Sequence, residues 1–191
     1  MKKSFLIFGL VLMLTVAVGL IVWGIYGGSK SGNENLPSNK ASGNVNSFVA
    51  CAAAGYPVQE SYPRRCVTPA GKAFSEDIGN ELEKTDKIQI DTPRPNGVVT
   101  SPLTIEGRAR GTWYFEATFP VILEDASGTV LVSGTARATG DWMSEDFVSF
   151  TAELTFGKPA ATEGTLILQR ANPSGQPENE EALRLPVHFF P

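Results

Sequence analysis

The chain has 191 residues, which predicts one or two domains, and its 19 glycines and 13 prolines favour short strands joined by turns. The net charge of −4 argues against a nucleic-acid-binding protein, which would need a basic surface. One histidine and two cysteines are too few for a histidine-rich or multi-cysteine metal site, so we predict no metal and no cofactor.

Residues 5–26 form an uncharged, mostly apolar run of 22 residues. As a helix this run would be about 33 Å long, which is enough to span a bilayer. Lys2 and Lys3 precede it, so the positive-inside rule predicts a cytoplasmic N-terminus. A signal peptide cleaved at residues 17–19 is the alternative, but the run exceeds the usual signal-peptide length. We therefore predict that residues 1–26 are a cytoplasmic tip and a single transmembrane anchor, with the C-terminal domains outside the cell membrane.

Residues 27–47 consist mostly of Gly, Ser, Asn and Pro. A segment of this composition cannot bury enough apolar surface to offset the entropy lost on ordering. We therefore predict a flexible linker between the anchor and the rest of the chain.

Residues 48–78 contain Cys51 and Cys66, the only cysteines of the chain. An even pair in an oxidising compartment favours a disulfide, and a segment this short needs such a crosslink because its own core is small. Arg64 and Arg65 could instead lower a thiol pKa and support redox chemistry, but there is no C-x-x-C pair. We therefore predict a disulfide-stapled mini-domain.

The two-cysteine segment also resembles a short motif of exported bacterial proteins with the form C-x-x-x-G…Y-P-x-x-C…G-x-x-F. The matching positions are Cys51, Gly55, Tyr62, Pro63, Cys66, Gly71 and Phe74. Residues 79–87, which follow it, are charged and polar, and they predict a second linker or a short helix.

From residue 88 onward apolar and polar residues alternate, which is typical of half-buried strands with one wet face. The runs fall at residues 88–90, 103–109, 113–124, 130–136, 148–156, 166–168 and 182–189, with turn residues between them. Seven short strands in about 100 residues are typical of an immunoglobulin-like β-sandwich. Pro120 and Pro186 fall inside these runs and remove a ladder donor, so we expect both at edges or bulges. The predicted fold of residues 88–191 is therefore all-β.

This region resembles the immunoglobulin-like domain of bacterial spore-germination proteins from about residue 88 to residue 189. The most specific segments are 101–103 (Ser-Pro-Leu), 107–109 (Gly-Arg-Ala), 115–116 (Phe-Glu) and 172–175 (Asn-Pro-Ser-Gly). The resemblance implies a β-sandwich outside the membrane with a role in protein interaction. It implies no catalytic residues.

The polar side chains give little sign of catalysis. His188, the only histidine, should point to solvent by alternation, and there is no Gly-x-Ser-x-Gly elbow. Acidic residues cluster in two loops without EF-hand spacing, so solvated loops explain them better than a calcium or glycosidase site. These acidic residues are Asp141, Glu145 and Asp146 in one loop and Glu178, Glu180 and Glu181 in the other.

Aromatic and turn residues provide candidates for an interaction surface. Trp113 and Phe115 share the apolar face of one run, so we expect both in the core. Trp142 lies in a turn region, where it either binds a partner or plugs the end of the sandwich. Asn172 and Ser174 lie in a loop that is either a recognition loop or simply a tight turn.

Together these features predict a non-enzymatic, membrane-anchored binding module of the bacterial cell envelope. Its partner would be a protein or cell-wall component outside the membrane. The first alternative is a structural spacer or assembly component, whose signature would be a homo-oligomer formed through an edge strand. The second is a carboxylate-based hydrolase that depends on a loop acid such as Asp141 or Glu145.

Overall fold

The computed structural model describes residues 45–190. The predicted anchor at residues 5–26 and most of the predicted linker at residues 27–47 lie outside these residues. Within residues 45–190, no helix has both the length and the apolar character that a membrane crossing requires.

Ten strands and two short α-helices make up this part of the chain. The two-cysteine segment contains α1 (Phe48–Ala53), β1 (Val58–Gln59), β2 (Arg65–Val67) and β3 (Ala73–Ser75). The remaining elements are α2 (Glu81–Lys84), β4 (Ile88–Thr92), β5 (Leu103–Arg110), β6 (Thr118–Asp125), β7 (Val130–Ala138), β8 (Phe147–Leu154), β9 (Glu163–Gln169) and β10 (Ala182–His188). Two 3-10 helices lie at Gly111–Trp113 and Pro177–Asn179.

In the two-cysteine segment, a disulfide joins helix α1 to a three-stranded antiparallel sheet. Ser47 caps α1, because its side chain accepts a hydrogen bond from the Ala50 N–H at 3.1 Å. Cys51 of α1 is bonded to Cys66 of β2, and both side chains are fully buried. The predicted disulfide is therefore confirmed.

The seven strands from β4 to β10 form one antiparallel sheet in the order β10-β9-β6-β7-β8-β5-β4. This sheet folds over on itself, since Phe119 of β6 packs edge-on against Phe150 of β8 with their ring centres 4.9 Å apart. The segment after β4 pairs in parallel with β10 through Val98 and His188, which joins the two ends of the sheet. The result is the predicted immunoglobulin-like β-sandwich, with seven strands between residues 88 and 190.

The core is filled by alternate residues of each strand, as the period of two predicts. On β5 and β8 the buried side chains are Leu103, Ile105, Ala109, Val148, Phe150, Ala152 and Leu154. On β6, β9 and β10 they are Phe119, Val121, Leu123, Leu166, Leu168, Leu183, Leu185 and Val187. All belong to one continuous cluster, so the sandwich has a single hydrophobic core.

The predicted run at residues 113–124 is interrupted. Phe115 and Thr118 exchange backbone hydrogen bonds at 2.9 and 3.0 Å around a tight turn, in which Glu116 and Ala117 both have positive φ. The turn reverses the chain and takes Phe115 out of the core, so Phe115 is 46% exposed whereas Trp113 before the turn and Phe119 after it are buried. The prediction that Phe115 lies in the core is wrong.

The two strand prolines occupy different environments. Pro186 lies in β10, at one end of the strand order, as predicted. Pro120 lies in β6, an interior strand of the sheet, so the predicted edge position holds only locally. Pro120 is tolerated because the pairing of β6 with β9 begins only at Val121, so the missing N–H falls where β6 has one neighbour.

Residues 79–80 and 96–99 cover the outer edge of β10. The Asn80 side chain donates to the Ala182 carbonyl at 2.9 Å and accepts from the Arg184 N–H at 2.7 Å. Farther along β10, the Asn96 N–H donates to the Pro186 carbonyl at 2.7 Å. The segment predicted as a linker or short helix thus contains α2 and contacts the sandwich.

A buried acid connects the two-cysteine segment to the sandwich. Glu81 of α2 is 5% exposed and pairs with Arg94 across 2.8 Å. The Tyr62 hydroxyl donates to the other carboxylate oxygen of Glu81, and Arg94 donates to that hydroxyl at 2.7 Å. Because each group has a partner, Glu81 can be buried without an isolated charge.

Candidate functional site

Three loops meet at one end of the sandwich, around the 3-10 helix Gly111–Trp113. A Cβ on Gly111 would lie 1.8 Å from the Ser144 carbonyl oxygen, so the β7–β8 loop approaches this helix closely. The Trp113 carbonyl accepts from the Ala171 N–H of the β9–β10 loop at 3.0 Å. These backbone contacts hold the three loops in a fixed arrangement.

Phe115, Trp142 and Met143 present apolar side chains at this end, and we call them the loop-end surface. Met143 is 77% exposed and Phe115 is 46% exposed. Trp142 is half-buried and packs partly against the core, so the interpretation as a plug and the interpretation as a contact residue each describe part of it. Thr112, Tyr114 and Glu145 join Trp142 and Met143 in lining a shallow depression of about 360 Å³.

Charged residues of both signs lie near the loop-end surface, since Arg110 donates to the Glu145 carbonyl and Arg170 donates to the Thr112 carbonyl, each at 3.1 Å. Glu116, Asp141, Glu145 and Asp146 are all exposed. Asp141 also shapes the loop, because its carboxylate accepts a hydrogen bond from the Met143 N–H at 3.1 Å. In the part of the chain that the structure describes, no three His, Cys, Asp or Glu side chains are arranged to hold a metal ion.

The β9–β10 loop is held by the side chains that were candidates for recognition. Asn172 donates to the Gln176 carbonyl at 2.8 Å and accepts from the Ser174 hydroxyl at 2.6 Å. Ser174 also accepts from the Asn179 amide at 3.0 Å. These contacts match the tight-turn interpretation.

The acids of the second predicted cluster are separated. Glu178 and Glu180 are exposed, whereas Glu181 pairs with Lys84 and Lys87 at 2.8 and 2.6 Å. Burial alone would raise the pKa of Glu181, but the hydrogen bonds from the two lysines outweigh it and lower this pKa. Glu181 therefore holds α2 against the sandwich.

His188 lies at the other end of β10, with its Nδ1 4.0 Å from a carboxylate oxygen of Glu163. Both residues line a groove of about 680 Å³ between the two-cysteine segment and β9–β10. Phe48, Arg64 and Phe74 line its opposite wall.

Stability at high pH should report on Tyr114, which lines the depression beside Trp142. Its hydroxyl donates to the Val148 carbonyl at 2.7 Å, and burial raises its pKa from 10.0 to about 12. Because the folded-state pKa is the higher one, this stabilisation is complete below pH 10 and is lost as the pH rises to about 12. Denaturant unfolding between pH 9 and 12 should therefore show a shallower decline for Tyr114→Phe than for the unmodified chain. Equal slopes would contradict this expectation.

Residues 87–176 match a family model, the immunoglobulin-like domain of bacterial spore germination. No curated protein and no solved structure matches the chain. The match covers β4 to β9 and ends before β10, although β10 pairs with β9 along its whole length. The predicted resemblance is confirmed over the matched residues.

Proposed function

We propose that this chain, which carries an immunoglobulin-like domain of the bacterial spore-germination family at residues 87–176, is a non-enzymatic binding module of the cell envelope. A transmembrane helix at residues 5–26 anchors it, and residues 27–47 hold the folded part outside the membrane. The disulfide between Cys51 and Cys66 supports this location, since such bonds persist in oxidising compartments.

The loop-end surface is the observation that carries the proposal. Isolated exposed apolar residues are common, but here Phe115, Trp142 and Met143 come from two loops that meet at the same end of a rigid sandwich. Aromatic residues and methionine are enriched in protein–protein interfaces. Loops positioned by a rigid scaffold are the usual place for binding residues.

The surrounding charges define the kind of partner. Glu116, Asp141 and Glu145 are exposed at this end, and Arg110 and Arg170 contact the backbone of the same loops. A matching protein surface would therefore be apolar at its centre and carry charges of both signs at its rim. We therefore propose a protein partner in the envelope that has this pattern, rather than a cell-wall polymer.

Retention of a partner should depend on Met143. The full chain is immobilised and exposed to detergent-solubilised envelope, and in parallel to insoluble cell wall. Met143→Ala is expected to weaken retention of a specific protein roughly tenfold, because a central interface contact is lost.

Val49→Ala is the matched control for this experiment. Val49 is 74% exposed, close to the 77% of Met143, but it lies on α1 in the two-cysteine segment. If Met143→Ala and Val49→Ala retain a protein equally well, that protein binds elsewhere. This result would contradict the proposed role of the loop-end surface. Sedimentation with cell wall that survives Met143→Ala would favour a polymer ligand instead.

Fractionation tests the anchor separately from the binding surface. The full chain should stay with the membrane pellet at alkaline pH, as an integral protein does, and a chain that begins at residue 27 should not. Release of the full chain from the membrane pellet would contradict the proposed transmembrane anchor. The binding proposal could still be tested.

A further inference from the structure

The β7–β8 loop, which supplies two residues of the loop-end surface, is held by the end of strand β5. The Arg110 side chain donates from Nη1 to the Glu145 carbonyl at 3.1 Å. The neighbouring Gly111 N–H donates to the next carbonyl of the loop, that of Asp146, at 3.2 Å. These two contacts fix the course of the loop just before β8 begins.

The guanidinium of Arg110 also reaches a second segment. Its Nε donates to the carbonyl of Asp86, which lies between α2 and β4, at 3.0 Å. The guanidinium carbon lies 4.3 Å from the centre of the Phe147 ring, and the side chain is half-buried. Because a guanidinium is planar and donates in fixed directions, two carbonyls and an aromatic ring together define its orientation.

The segment that contains Asp86 is itself attached to the sandwich. Lys84 and Lys87, which lie on either side of Asp86, pair with Glu181 at 2.8 and 2.6 Å. The Lys87 carbonyl accepts from the Arg110 N–H at 2.8 Å. Arg110 is therefore anchored at the Asp86 side and holds the β7–β8 loop at the other.

We propose that Arg110 is a positioning residue of the loop-end surface, whose guanidinium fork holds the β7–β8 loop so that Trp142 and Met143 are presented in the conformation that binds. Arg110 acts through the backbone of the loop and not as a contact with the partner. A loop that is ordered before the partner arrives loses less entropy on association, so this contact strengthens binding. The inference rests on the proposed function, because it concerns the same surface.

Hydrogen exchange of the full chain in mild detergent, measured without any partner, tests this role. The amides to follow are those of Gly111, Met143 and Asp146, each of which donates a hydrogen bond at or within the loop. Arg110→Gln should make them exchange roughly tenfold faster, because the loop opens more often, while amides in the middle of β8 should keep their rates. Arg110→Lys should restore only part of the protection, because one ammonium cannot reproduce the directions of the fork.

Arg108→Gln is the matched control for this experiment. Arg108 lies on the same strand, and its guanidinium carbon lies 5.7 Å from the centre of the same Phe147 ring. Its Nε, however, donates to the side chain of Gln89 at 2.8 Å. Arg108→Gln removes the same charge as Arg110→Gln, but it should leave the three loop amides at their original rates.

Three results would overturn the proposal. The first is exchange of the loop amides that Arg110→Gln leaves unchanged, and the second is an equal acceleration by Arg108→Gln, since loss of a surface charge would then explain the effect. The third is full protection in Arg110→Lys, since a positive charge would then be sufficient.

Retention of an envelope protein gives the second measurement. It should fall roughly fivefold with Arg110→Gln and stay unchanged with Arg108→Gln, because only the first variant disturbs the loop. If the unmodified chain retains no protein, the proposed function fails, whereas the exchange rates still decide whether Arg110 positions the loop.

Discussion

Replacing Cys51 and Cys66 together by alanine is expected to lower the free energy of unfolding of the two-cysteine segment by about 3 kcal/mol. The disulfide spans a sequence separation of 15 residues, and its loss enlarges the set of unfolded conformations. Alanine is preferred to serine because both sites are fully buried and a hydroxyl there would need a partner. Denaturant unfolding of the full chain, followed together with amide hydrogen exchange, measures the effect.

The location of the effect matters as much as its size. Amides of α1, β2 and β3 should lose protection in the double variant, while those of β5 and β8 should keep it. This pattern is expected because the sandwich has its own core, to which the two cysteines do not belong. Equal loss of protection in both regions would show that the segment and the sandwich unfold as one unit. Unchanged protection throughout would contradict the expected stabilisation by the disulfide.

The strands could be predicted because each has one wet face. From Leu103 to Ala109 every second residue is buried, either in the core or, at Gly107, close to a neighbouring backbone. The polar residues between them are exposed. The disulfide could be predicted because the chain has a single pair of cysteines. Both inferences use properties that are local in sequence or follow from simple counting.

The turn at residues 115–118 could not be predicted in this way. Glu116 and Ala117 both adopt positive φ, a conformation for which glycine or asparagine is the usual sequence signal. Neither residue type is present, and the alternation of Trp113, Phe115 and Ala117 looked like a continuous strand. The prediction of a continuous strand therefore placed Phe115 in the core, whereas Phe115 is exposed and belongs to the loop-end surface.

Long-range partners limited the prediction of the remaining site. Glu81 appeared to belong to a solvated segment, yet it is buried because Tyr62 and Arg94, which are distant in sequence, supply its partners. The sequence pattern does not single out Met143, although it lies in the same short loop as Trp142. The side chains of Asn172 and Ser174 bond to their own loop, a choice that the sequence left open between turn and recognition.

Replacing Gly79 by alanine is expected to destabilise the folded chain by about 3 kcal/mol. Gly79 has a φ of +68°, and a Cβ there would lie 1.9 Å from the carbonyl oxygen of Arg184 in β10. The backbone of either segment would have to move, which would also strain the hydrogen bonds between Asn80 and β10. Denaturant unfolding measures the loss, and hydrogen exchange at β10 shows whether its outer edge has been uncovered.

Gly71→Ala separates the clash from the backbone strain. Gly71 has a similar φ of +80°, but nothing lies within 4 Å of the position that its Cβ would take. Its replacement should therefore cost only the left-handed conformation, about 1 kcal/mol. The excess for Gly79→Ala then measures the cost of the clash with the Arg184 carbonyl in β10. Equal destabilisation by the two variants would contradict the expected clash between residue 79 and β10.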